Sequence, residues 1–430
     1  MNNFEKRLKN LLLFLFPWRD ALGFTLAGIP LRFGEIGAAF LGIIPIFNGG
    51  RIRLKRKESV ILWILVVNFF VTILGFLIYH NSIDTSFGLK YIIRNVLFII
   101  AILGFLSSKI NFTEENINKL FDFFTVLQFV AFVLVITTGV HMYMGTIWSE
   151  QEMISQGQFV NIAGLTFPRF AGTCSEAGYL APLFTITTYY YLKKYMSVSG
   201  SKNKKHSLSF LMLTLFMALF TFSTAVYMFV GATLIITFSK NSQRKKAKNI
   251  LIIAAIFVLA LILIIVTDES VQQYLNREVF NKIAVYLSFG DKTNVSNWSA
   301  MDRSQHIENA VNLFKNSNLL QIIIGHGTGA YSEYASRQTT LLVTDVNEAY
   351  NLFLSTLTDR GVLGFACLVT VFVYCRKFWI KRDVCSTALF VGVVSQFLHW
   401  MLTGNFWLYY FWYEVILLVG YYRNVRIIEK

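Results

Sequence analysis

Residues Val60–Tyr79 read VILWILVVNFFVTILGFLIY, an apolar run in which no side chain carries a charge. A helix rising about 1.5 Å per residue takes such a run across roughly 30 Å of hydrocarbon. The rest of the chain repeats the pattern. Of 430 residues 55% are apolar and 15% charged, and there are only 5 prolines. A soluble domain of this length could not cover so much apolar surface, so the composition is that of a polytopic membrane protein. Windows of roughly 17–22 apolar residues give about twelve spans. They centre on Leu11–Ile29, Phe33–Phe47, Val60–Tyr79, Tyr91–Ser107, Leu120–Gly139, Gly178–Leu192, Leu208–Phe222, Ala225–Phe238, Ile250–Val266, Leu352–Tyr374, Val384–Met401 and Phe406–Gly420. The expected fold is all-α, one transmembrane domain over residues 1–430.

The net charge of +15 would suit a nucleic-acid partner if it were gathered on one soluble domain. It is scattered instead between apolar runs, at Lys6-Arg7-Lys9, Arg51 through Lys57, Lys193 through Lys205, Arg244 through Lys248, Arg376 through Arg382, and Arg423, Arg426 and Lys430. These are every second junction, which the positive-inside rule assigns to the cytoplasmic face of a bacterial inner membrane, with both termini inside and no nucleic acid bound. Lys202-Asn203-Lys204-Lys205 reads as a solvated loop near anionic lipid headgroups. After Phe4-Glu5-Lys6-Arg7 the apolar run is broken by Trp18-Arg19-Asp20 with no small-residue cleavage site, so no cleavable signal peptide is expected. Cys174, Cys367, Cys375 and Cys385 form no disulfide or metal spacing and read as small apolar residues. Neither a metal nor a cofactor is expected.

Alternation leaves two long junctions on the outer face, at 140–177 and 267–350. A structureless loop as long as the second is rare in a compact protein, so it is expected to fold over a site. ATP and nucleotide sugars are absent there, and an enzyme on that face must draw on an already activated substrate. In the first junction Arg169 and Glu176 stand near the membrane edge, with Gly172 and Gly178 permitting close backbone approach. Arginine suits a phosphate through its planar fork of donors; an Arg169–Glu176 ion pair is the structural alternative.

In the second junction Arg303 opens a segment, Ser304 to Phe314, whose Ile307, Ala310, Val311 and Phe314 recur at helical spacing. Gly325-His326-Gly327-Thr328-Gly329 follows and could form a backbone nest for an oxyanion or a purely structural turn. It lacks the Lys-Ser/Thr of a P-loop and the spacing of a dinucleotide fingerprint. Arg94 lies inside a predicted span, where a charge needs a reason, and is a third candidate for the same phosphate. Asp359 with Arg360 is expected to pair within or between helices. Glu35, His399 and Glu414 are expected to make polar helix-packing contacts, and Phe406 to Tyr413 to form an interfacial aromatic belt.

The order of these pieces resembles the O-antigen polymerase and ligase superfamily of bacterial membrane glycan enzymes, which act on polyprenyl-diphosphate-linked sugars. Arg169-Phe-Ala-Gly172 with Glu176 resembles the Arg-x-x-Gly-x-x-x-Glu stretch of polymerases, and Thr221-Phe222-Ser223 the superfamily's Thr-Phe-Ser element. Arg303, the Gly325–Gly329 turn, and Asn351 with Leu354, Gly361 and Gly364 resemble the long-loop signature and the helix after it. The resemblance spans roughly Arg169 to Phe365. Where ligases usually carry a histidine before the asparagine, this chain has Tyr350, which weakens the ligase reading and leaves the base open among His326, Glu348 and Glu176.

The resemblance implies a polymerase of surface polysaccharide, whether lipopolysaccharide O-antigen, capsule or exopolysaccharide. The growing chain on undecaprenyl diphosphate would be donor and a lipid-linked repeat unit acceptor. Arg169, Arg303 and Arg94 would hold the diphosphate, and Gly327, Tyr350 and Asn351 other parts of the substrate. A chain-length regulator and a flippase are the protein partners it implies. The alternatives are a ligase moving the finished glycan and, in another class, a lipid-linked oligosaccharide flippase; the lack of internal symmetry between the halves speaks against the last.

Overall fold

The computed structural model describes residues 3–239, 298–337, 349–401 and 409–428, with 272, 273 and 276; within the first range 19, 27–28, 53, 144–145, 149–158, 163–164, 175 and 198–199 lie outside it. The described chain is helical apart from three two-stranded antiparallel hairpins. Its helices are α1 (Asn3–Leu15), α2 (Phe33–Gly42), α3 (Ile44–Phe47), α4 (Arg56–Tyr79), α5 (Thr85–Ser107), α6 (Glu114–Thr138), α7 (Ala181–Ser197), α8 (Ser201–Leu219) and α9 (Thr224–Phe238). After the undescribed stretch come α10 (Trp298–Lys315), α11 (Leu319–Ile324), α12 (Ala330–Ser336), α13 (Leu352–Cys375), α14 (Val384–His399) and α15 (Tyr409–Ile428).

Among the described residues four helices are long and apolar enough to cross a membrane: Arg56–Ser82, Thr85–Ser107, Glu114–Thr138 and Leu352–Phe378. Phe33–Phe47, Thr224–Phe238 and Val384–His399 are shorter apolar helices. The chain is therefore a helical membrane protein. Ile250–Val266, read as a span from its sequence, lies outside the described residues. The first expected span is not one helix. α1 stops at Leu15, a 3-10 turn follows over Phe16–Trp18, and Gly23–Leu26 (β1) pairs with Ile29–Arg32 (β2). Pro17 accounts for the stop, since it has no N–H to donate and disfavours helical backbone at the residue before it.

One apolar core runs through nearly all the helices, with Leu12, Phe105, Phe121, Tyr190, Val371 and Leu389 among its members. α4 lies along α5 and α13, and α7 lies along α8, α9 and α14. The ends of α4, α13 and α15 beside basic junctions meet the C-terminal end of α5. Tyr374 of α13 donates to the Lys57 carbonyl at 2.7 Å. Arg423 of α15, only 5% exposed, grips both oxygens of Glu58 and donates to the carbonyls of Phe105, Leu106, Ser108 and Ile110. The last carbonyls of any helix lack intrahelical partners, so this guanidinium caps α5 from another helix. At the opposite end the hairpins and α10–α12 gather, with a small core of their own in Ala310, Tyr331, Ala335 and Ala349.

That core is joined to the bundle by the glycine-rich turn. α13 is broken at Gly361, whose φ of +63° takes it out of the helix. The break frees the carbonyls of Thr358 and Asp359, and in an apolar bundle these must find other donors. The N–H groups of His326 and Gly327 supply them, at 2.8 and 3.1 Å. The crossing is tight: a Cβ on Gly361 would stand 2.5 Å from the Ile323 carbonyl atoms and 2.6 Å from the Gly325 nitrogen. Gly361→Ala is expected to destabilise the fold by roughly 1–3 kcal/mol, as over-packed sites do. A thermal midpoint of the purified protein equal to wild type would show that the crossing is looser than described.

Candidate functional site

Arg169 follows the antiparallel hairpin formed by Phe159–Ile162 and Leu165–Pro168. The Phe170 N–H donates to the Phe220 carbonyl at 2.8 Å, and Arg169 Nη2 reaches the Phe222 carbonyl at 3.5 Å. Arg169 Nε is buried with no hydrogen-bond partner. The Ser223 N–H donates to Thr221 Oγ1, which itself donates to the Ala218 carbonyl. The Arg169 stretch and the Thr221-Phe222-Ser223 element, read separately in the sequence, thus form one unit. Its other side is pinned by Thr173, whose hydroxyl donates to the Pro17 carbonyl at 2.8 Å and whose N–H donates to Gln128 Oε1 at 3.1 Å. Gly172, at φ +59°, leaves the room that Gln128 needs.

α10 carries Arg303 and His306 three residues apart, so they share a face. The Arg303 guanidinium stands 5.6 Å from the centre of the Tyr350 ring, and the His306 ring 5.3 Å from it. His306 Nδ1 lies 2.6 Å from the Tyr331 hydroxyl, which donates to the His306 carbonyl. Asn351 caps α13, its Oδ1 accepting from the N–H groups of Phe353 and Leu354. The Leu352 N–H donates to the Trp400 carbonyl, which brings in the end of α14. There His399 packs edge-on against Tyr179 at 5.6 Å and Phe229 at 6.2 Å, is hydrogen-bonded to the Gly178 backbone, and feels the charge of Arg303.

A continuous set of neighbours results, from Arg169 through Phe222, Ser223, Gly178 and His399 to Arg303 and Tyr350. Among the described residues three non-glycine residues have positive φ: Phe222, Tyr350 and, at the basic end, Arg382. Backbone held in this region costs on the order of 1–3 kcal/mol per residue and persists where the surroundings over-determine it, as binding sites do. What the arrangement offers chemically is guanidinium charge beside aromatic faces, next to backbone held at positive φ.

The other residues singled out from the sequence lie elsewhere. Glu176 is exposed at the start of the 3-10 turn Ala177–Leu180, and no ion pair joins it to Arg169. Arg94 is placed 3.8 Å from Glu35, whose other oxygen accepts the Arg32 N–H. Asp359 and Arg360 part company. The Asp359 side chain accepts the N–H groups of Gly329 and Tyr331, so the acceptor in the glycine-rich nest is the chain's own. Arg360 donates to Asn68 and Thr356 and lies over the Tyr91 ring. Gly327 packs on Gly75.

His326 Nε2 lies 2.7 Å from Ser317 Oγ. Burial holds its pKa below the usual 6.5, against a smaller upward pull from the Leu313 backbone, so the ring is neutral at pH 7. It lines a cleft of about 160 Å³ with Tyr79, Gln321, Glu333, Tyr334 and Arg337. Glu348 lies outside the described residues. His306 and His399 were not legible as site residues. The first stands in an ordinary amphipathic helix, and the second sits in an apolar run where a lone polar side chain reads as packing.

Residues 209–369 match a protein-family model described as O-Antigen ligase. The matched stretch takes in the Thr221-Phe222-Ser223 element, Arg303, the glycine-rich turn and most of α13. No curated protein matches the chain.

Proposed function

We propose that the protein is a polysaccharide repeat-unit polymerase, a glycosyltransferase transferring a polyprenyl-diphosphate-linked glycan chain to a lipid-linked repeat unit. The observation that carries this is the run of neighbours from the Arg169 unit through His399 to Arg303 and Tyr350, at the end of the bundle away from the basic junctions. The positive-inside rule applied to those junctions supports a site on the outer face of the cytoplasmic membrane, with both termini inside. An acceptor hydroxyl attacks the anomeric carbon, and polyprenyl diphosphate leaves. The leaving group is already good, so the protein's tasks are to neutralise its charge and to hold two lipid-tethered substrates in register. Arg303 and Arg169 supply charge at one site. Aromatic rings beside them, Tyr350 and Tyr179, offer faces on which sugars stack. A ligase that moves the finished glycan to another acceptor is the second reading, favoured by the description of the matching family model.

The test is the size distribution of surface and lipid-linked glycan in a strain lacking the gene, beside a complemented strain. Polymerase activity predicts single repeats on the surface acceptor, with the long ladder lost and restored by complementation. Long chains stranded on the carrier lipid would mean a ligase instead, and single repeats trapped on the inner leaflet would mean a flippase.

A further inference from the structure

The candidate bases of the sequence reading are poorly placed to receive a proton. Glu176 is exposed, and His326 turns its Nε2 to Ser317. His306 also has a buried Nε2, but it is tied to the Tyr331 hydroxyl at both Nδ1 and its own carbonyl, and its ring is packed against Tyr331 and Tyr350. His399 differs. It is 2% exposed, is hydrogen-bonded to the Gly178 backbone, and its Nδ1 is buried with no hydrogen-bond partner. A buried polar nitrogen without a partner costs about 1–3 kcal/mol, which is not spent on packing alone when an aliphatic side chain would fill the space. The ring sits where both loops, α9 and α10 come together, between Tyr179 and Phe229 and within reach of the Arg303 charge.

We propose that His399 is the general base of the transfer reaction, its Nδ1 taking the proton of the attacking acceptor hydroxyl. This rests on the glycosyltransferase reading above. One ring nitrogen, held on the Gly178 backbone, fixes the orientation of the imidazole and leaves the lone pair of the other for substrate. The hydroxyl proton passes to Nδ1 while its oxygen forms the new bond to the anomeric carbon. The bond from that carbon to the diphosphate oxygen breaks, and its electron pair leaves on polyprenyl diphosphate beside Arg303. Product release returns the proton to water. The base thereby lies within the field of the cation that holds the diphosphate, which suits a reaction in which both ends of the displacement change charge together.

The experiment uses full-length protein in lipid nanodiscs and the lipid-linked repeat that accumulates in the strain lacking the gene. His399→Asn is expected to bind the repeat as wild type does and to lower the elongation rate by on the order of 10²–10⁴, the usual worth of a positioned base. A second acceptor separates chemistry from structure: a repeat bearing a thiol in place of the attacking hydroxyl, identified from the linkage of the wild-type product. A thiol ionises near pH 8.5 and needs little help from a base. The gap between wild type and variant should shrink to about tenfold or less with it. Elongation by the variant within about threefold of wild type, or an equal loss with both acceptors, would overturn the assignment. His399→Gln, which can keep the Gly178 bond, is read by the same two comparisons if the Asn variant is unstable. Should wild type fail to elongate the repeat, the proposed reaction falls and the assignment with it; a wild-type ladder beside an equally active variant removes the assignment alone.

Discussion

Arg303→Ala is expected to lower the rate of glycan elongation by on the order of 10²–10³ with little change in thermal midpoint, the loss seen when one preorganised donor to a developing charge is removed. Three observations set this apart from other arginine substitutions. Arg303 lies on a surface helix, α10, so its removal leaves the membrane core intact. Its guanidinium stands over the Tyr350 ring, and its charge is felt by His399 of α14. Arg303→Lys should recover only part of the rate, because a point charge cannot reproduce two parallel hydrogen bonds to a diphosphate. Arg169→Ala should show a smaller kinetic and a larger structural effect, since Arg169 also tethers the Phe222 carbonyl. Elongation by the purified Arg303→Ala protein within about threefold of wild type would remove Arg303 from the diphosphate site.

Arg423→Leu is expected to destabilise the folded protein by about 3–5 kcal/mol, because it strands a buried carboxylate. Glu58 is 2% exposed and would keep its charge or take up a proton in an apolar layer. The same change uncaps the end of α5, where Arg423 serves the carbonyls of Phe105, Leu106 and Ser108. The measurement is the thermal midpoint and the monodisperse yield from detergent, read against the double variant Arg423→Leu with Glu58→Leu. The double variant should recover part of the loss, since an apolar pair of similar volume leaves no unpaired charge. A single variant as stable as wild type would mean that water reaches Glu58.

What the sequence made legible was what local pattern decides. The apolar runs around Val60–Tyr79, Tyr91–Ser107, Leu120–Gly139 and Leu352–Tyr374 coincide with α4, α5, α6 and α13. The 3.6-residue spacing of Ile307, Ala310, Val311 and Phe314 coincides with α10. Leu11–Ile29 misled because apolarity does not distinguish a membrane span from a hairpin packed on the bundle; Pro17 and the charged pair Arg19-Asp20 were the signals of the difference. The role of Gly325–Gly329 was hidden for another reason. Its N–H groups answer a defect in α13, and neither Gly361 nor the turn reveals the other from its own neighbours in sequence. Asp359 and Arg360 were expected to pair with each other or between helices; adjacent residues on a helix point in different directions, and Asp359 turns to the glycine-rich turn while Arg360 reaches Asn68 of α4. His399 lies far along the chain from Gly178 and Arg303, and only the fold brings them together.

The cap on α5 also orders the assembly of the chain in time. Arg423 and Phe105 are separated by 318 residues. A ribosome adding roughly 5–20 residues each second therefore leaves the α5 carbonyls and Glu58 without their partner for tens of seconds. During that interval the first helices can be inserted and paired, yet the contact that closes the basic end does not exist. Completion of the bundle is thus a late, long-range event, and quality control that samples the nascent protein would meet an open structure until α15 has emerged.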